Sequence, residues 1–70
     1  MDIEEFNKTV RDYREKNPHI RRGQASFNIA WKLFDGLAHR VIGIEGLDPF
    51  YKDENLPAFI NFLVKEGFVK

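Results

Sequence analysis

The chain contains no cysteine, so neither a disulfide nor a thiolate metal site can staple it. That absence fits a reducing cytosol. No apolar run approaches the roughly 20 residues needed to span a bilayer, so no membrane association is expected. The N-terminus carries Asp2, Glu4 and Glu5 and has no apolar signal-peptide core, so a cytoplasmic location is expected. Formal net charge is zero, which argues against a strongly basic nucleic-acid binder. The five glycines are scattered singly, so the chain has no glycine-rich phosphate loop. Val and Ile do not alternate with polar residues over any useful length, so strands are not expected. There is no repeat, low-complexity segment or linker.

What remains is a short chain rich in large side chains. Seventy residues make one helical domain spanning residues 1–70. Such a chain buries only about 60% of its unfolded surface. Seven Phe, one Trp and two Tyr offset this, since each can bury roughly 150–250 Å². Ile3, Phe6, Val10 and Tyr13 recur at helical spacing and predict a first helix over 2–16. Asn17-Pro18 ends it, because the residue before proline is pushed out of the α region. Phe27, Ala30, Trp31 and Phe34 predict a second helix over 23–34. Asp35 is placed to cap a short third helix through Ile42, with Leu37, Ala38, Val41 and Ile42 turned inward. Gly43 and Gly46 bracket its exit, one of them as a left-handed cap. Asp48-Pro49 reads as an N-cap and first helical position, opening a single turn that carries Phe50 and Tyr51. Lys52 to Asn55 reads as a polar loop. Asn55 is placed to cap a last helix that tolerates Pro57 in its first turn and ends at Gly67. The predicted fold is therefore all-α: a compact bundle of three main helices plus a short additional helix or turn. Its predicted core is Phe6, Val10, Phe27, Trp31, Phe34, Val41, Phe59, Phe62 and Leu63.

Chemistry is sparse. His19 and His39 have no partners at metal-ligand spacing. The acidic cluster of Asp48, Asp53 and Glu54 lacks the spacing, central glycine and terminal glutamate of a calcium loop. Ser26 and Thr9 are the only hydroxyl nucleophiles outside the tyrosines, and neither lies in a nucleophile elbow. No catalytic residue, metal ligand or cofactor is expected, and the chain does not read as an enzyme.

Binding is the better prospect. Residues 8–22 hold six basic and two acidic residues, net +4, and residues 44–55 hold one basic and four acidic, net −3. These segments either face water and each other or serve partners. Gln24 and Asn28, at i and i+4, project from one side of the second helix. Structurally they would hold the Asp48 to Tyr51 turn; functionally they would line a polar groove. Phe50 and Tyr51 either close the core or stand as exposed anchors for a protein partner. Arg11, Arg14, Arg21 and Arg22 are the alternative, a phosphate-binding set for nucleic acid or a nucleotide. The primary reading is a small non-catalytic protein-interaction module. Opposed charges and a small core are also compatible with a homodimer.

The order Asn17-Pro18, Gly23-Gln24-Ala25-Ser26-Phe27-Asn28, Asp48-Pro49-Phe50-Tyr51 and Leu56-Pro57-Ala58-Phe59 spans nearly the whole chain. In this it resembles short bacteriophage and prophage proteins of no established activity. The resemblance implies a phage or prophage origin, a site of action in the bacterial host cytoplasm, and binding to a host macromolecule.

Overall fold

A computed structural model of the chain describes the backbone of residues 1–34, 37–41, 44, 46–50 and 52–70, with all their side chains except those of Ala38 and His39. The fold is all-α. Helix α1 runs Ile3–Lys16, α2 Arg22–Leu33, α3 Leu37–Val41 and α4 Leu56–Lys65, with a 3₁₀ turn at Asp53–Asn55 leading into α4. No strand occurs among the described residues.

Each end has a local cause. Asp2 caps α1 by accepting a hydrogen bond from the Glu5 amide at 2.8 Å. Glu4 and Glu5 in the first turn, and Arg14 and Lys16 in the last, complement the helix dipole. Asn17 takes a non-helical conformation at the C-cap, as the following proline requires. Helix α4 ends in a Schellman motif. The Phe68 amide donates to the Leu63 carbonyl at 2.9 Å and the Gly67 amide to Val64 at 3.1 Å, with Gly67 at φ +81°. This turn folds Phe68 and the buried Val69 back onto the core. Lys70 then pairs through its backbone with Met1 and Ile3.

Several predicted boundaries shift. Helix α1 starts one residue later than expected, with Asp2 as its cap. Helix α2 starts one residue earlier and ends one earlier than expected, with Phe34 as its C-cap. The Asp48-Pro49 step opens no helical turn among the described residues. Asp48 instead accepts a hydrogen bond from the Phe50 amide at 2.8 Å, an Asx turn that satisfies the local backbone without winding it. The helical turn lies later, at Asp53–Asn55, in the stretch read as a polar loop. Asn55 makes no side-chain cap to α4; its amide donates to the Asp48 carbonyl at 2.9 Å. The predicted Asp35 cap, Ile42 and the Gly43 exit lie outside the described residues, as does the orientation of Ala38. Gly46 is left-handed, at φ +80°.

The core gathers Phe6, Val10, Phe27, Val41, Phe59 and Leu63, as the periodicity predicts, with Ala25, Ile29, Ala30, Leu37, Leu56 and Val69 added. Phe34 and Phe62 pack against it half-buried. Phe34 stacks on Phe6 with centroids 6.1 Å apart and lies 5.3 Å from Phe68. Phe62 lies under the Arg40 guanidinium at 5.4 Å, and Arg40 also pairs with Glu66.

Trp31 is the correction. It is 51% exposed, although it continues the Phe27 stripe. The face of α2 that packs inward is built from small residues, Gly23, Ala25, Ser26 and Ala30, together with Phe27 and Ile29. Small side chains let neighbouring backbones approach closely, and this turns the helix so that Trp31 falls at the rim. It rests on Phe27 with centroids 5.7 Å apart.

Truncation separates the two aromatic roles. Phe59→Ala is expected to cost about 3–5 kcal/mol, because Phe59 is fully buried. Trp31→Ala is expected to cost no more than about 1 kcal/mol. Urea unfolding of both variants measures the difference, and equal losses would contradict this packing.

Candidate functional site

Helix α2 begins without a cap of its own. Arg21 stands at the N-cap and makes no side-chain capping bond, and arginine has no acceptor with which to make one. The cap arrives from thirty residues away: the Gly23 amide donates to Asp53 Oδ1 at 3.0 Å. A carboxylate at this end also meets the positive pole of the helix. Arg21 reaches over the same loop. Its guanidinium lies 3.4 Å from Asp53 Oδ1 and donates to the Phe50 carbonyl.

Gly23 makes this approach possible. A Cβ at this position would lie 2.4 Å from the Pro49 carbonyl oxygen and 2.6 Å from Asp53 Oδ1. Asp48, Pro49 and Leu56 are buried beneath. Segments 8–22 and 44–55 therefore meet, and among the described residues Arg21–Asp53 is the ion pair that joins them. Both partners are about half exposed, so the pair itself contributes only about 0–1 kcal/mol.

The expected binding residues fall into separate places. Phe50 is half-buried and stands edge-on to Phe27, with centroids 5.5 Å apart and planes at 76°. Tyr51 lies outside the described residues. Gln24 and Asn28 are both half-buried on the outer side of α2. Asn28 donates to the Tyr13 hydroxyl at 3.4 Å, and Gln24 makes no side-chain hydrogen bond among the described residues. The Asp48 turn is held instead by Asp48 itself, Asn55 and Arg21. Gln24, Phe27, Asn28 and Trp31 follow i, i+3, i+4, i+7 and so form one stripe, which runs through Phe27 to Phe50.

The four arginines divide. Arg11, Arg14 and Arg22 line an open groove of about 520 Å³ between α1 and α2, with Ser26 at its base. Arg21 turns away from it to the Asp53 loop. Two residues apart on a helix, Ser26 and Asn28 point about 160° apart. The groove and the aromatic stripe thus lie on opposite sides of the α1–α2 seam.

No protein-family model matches this chain, and comparisons with curated proteins and with solved structures return no match either. The site is therefore read from its own geometry. No group of three or more His, Asp or Glu side chains converges among the described residues. No helix among them is long and apolar enough to cross a membrane.

Sequence reasoning missed two participants, Asp53 and Tyr13. The first had left a trace: a helix that starts at Arg22 after a non-capping arginine must be capped from elsewhere. Tyr13 left none, since its stripe position reads equally as core.

Gly23 tests the approach. A glycine in a helix normally gains up to about 1 kcal/mol on change to alanine. Here Gly23→Ala is expected to lose about 1–3 kcal/mol, because Pro49 and Asp53 must move. Thermal unfolding of that variant gives the sign directly, and a raised midpoint would contradict the contact.

Proposed function

We propose that this protein is a small non-catalytic protein-interaction module whose contact surface is the outer stripe of α2. The observation that carries the reading is Trp31, the largest side chain in the protein, standing 51% exposed on a helix. Exposed Trp is the residue type most enriched among interface hot spots, where a partner removes its apolar area from water.

The surroundings suit that role. Phe27 supports Trp31 and is itself braced edge-on by Phe50, so the aromatic surface needs little further ordering when a partner arrives. Gln24 and Asn28 beside it supply amide groups for directional hydrogen bonds. The stripe carries no charged side chain. Non-specific single-strand binders instead interleave aromatic platforms with a basic groove. Here the groove arginines lie across the seam, which favours protein over nucleic acid as the partner of this stripe. With the sequence resemblance, the module reads as a phage or prophage accessory protein that engages a host protein in the bacterial cytoplasm.

The experiment is capture from nuclease-treated bacterial lysate on the immobilised chain, alongside Trp31→Ala. The expected result is a partner retained by the wild type at moderate salt and lost by the variant, with circular dichroism showing both folded. Capture that survives Trp31→Ala, or that vanishes with nuclease and falls steeply with salt, would overturn the reading.

A further inference from the structure

The groove between α1 and α2 is separate from the aromatic stripe. Three arginines line it, Arg11 and Arg14 on α1 and Arg22 at the start of α2. None of them forms an ion pair with a carboxylate among the described residues. Glu15 also stands at the groove and leaves a local charge of +2, three arginines against one carboxylate. Its side chain comes within ion-pair distance of no arginine among the described residues.

Two features make the groove more than a charged surface. Arg14 is half-buried and tethered, its Nε donating to the Ile20 carbonyl at 3.3 Å, so part of its ordering cost is met before any ligand arrives. Ser26 lines the groove while only 3% exposed. Its hydroxyl makes no hydrogen bond to another described residue. No buried side-chain polar atom among the described residues lacks a partner, so this hydroxyl reaches the open groove, where it can donate to an oxyanion.

We propose that this groove binds a phosphomonoester dianion. The terminal oxygens would be held by the planar forks of Arg14 and Arg22, with Arg11 at the mouth and Ser26 below. Planar guanidinium groups match phosphate oxygens pairwise. The groove volume of about 520 Å³ falls within the range of small-molecule sites, roughly 300–1,000 Å³, so it has room for the organic group that carries the phosphate. Arg22 also places the anion near the positive end of α2. Arginines gathered around one concavity suit a terminal dianion better than a long polyanionic backbone, which needs cations spread along a face.

The test is an amide-resolved NMR titration of the full chain with inorganic phosphate, with a nucleoside 5′-monophosphate, and with a single-stranded oligonucleotide lacking terminal phosphates. The expected result is saturable shifts at Arg14, Arg22 and Ser26 with the first two ligands, the nucleotide binding more tightly. Arg22→Gln is expected to weaken both about tenfold. Arg22 is exposed and makes no tertiary hydrogen bond among the described residues, so this variant should stay folded even if Arg14→Gln does not. Absence of saturation at millimolar phosphate would overturn the proposal. So would unchanged affinity in Arg22→Gln, or shifts spread evenly over Lys8, Lys16 and Lys65. Tighter binding of the oligonucleotide than of the nucleotide would assign the groove to a nucleic-acid backbone instead and overturn the monoester.

Discussion

The Gly23 amide held by the Asp53 carboxylate is the interaction on which the rest of this structure leans. It closes a loop of thirty residues, and loop closure costs entropy that must be regained by contacts. The regained contacts are specific. Pro49 and Asp48 are covered, Leu56 and Phe59 reach the centre, and Phe27 packs against both Phe50 and Phe59. The cap, the missing Cβ and the Asx turn at Asp48 depend on one another. Asp53 can reach the Gly23 amide only because nothing stands between them. Asp48 can be buried because its carboxylate is hydrogen-bonded to the Phe50 amide.

The same contact orients helix α2, and α2 separates the two surfaces. With its small residues turned inward, the helix presents Gln24, Asn28 and Trp31 on one side. At its N-terminus Arg22 enters the groove beside α1, while Arg21 is drawn the other way by Asp53 and the Phe50 carbonyl. Adjacent arginines thereby take different tasks: one stabilises the fold and its neighbour lines a cationic groove. The opposed charges of the two segments are therefore only partly satisfied internally, which leaves Arg11, Arg14 and Arg22 without carboxylate partners among the described residues.

Much of this architecture was legible in the sequence. The stripe of Phe6 and Val10, the Asn17-Pro18 stop and the Gly67 exit all follow from local rules, and the structure repeats them. The legible part is local because capping and periodicity act within a few residues. The illegible part is long-range. Counting large apolar residues placed Trp31 inside, whereas close packing through Ala25, Ser26 and Ala30 set the inward face. Asp48-Pro49 looks like a helix start, but the carboxylate is used for its own turn and the helical turn begins at Asp53. The arginines read as one basic run, and only the fold shows that Arg21 is diverted from the groove. Gln24 and Asn28 were rightly placed on one side of α2, but the partner that Asn28 finds is Tyr13, a contact between helices that no local pattern encodes.

Native-state amide hydrogen exchange tests the central claim most directly. If the Asp53 clamp joins the 48–55 loop to α2 as one cooperative unit, the Gly23 and Phe50 amides should open only with the core. Their opening free energies would then match those of Ile29 and Leu63. Rapid exchange at Gly23 and Phe50 while Ile29 and Leu63 stay protected would show a loop that opens on its own, and would contradict the account.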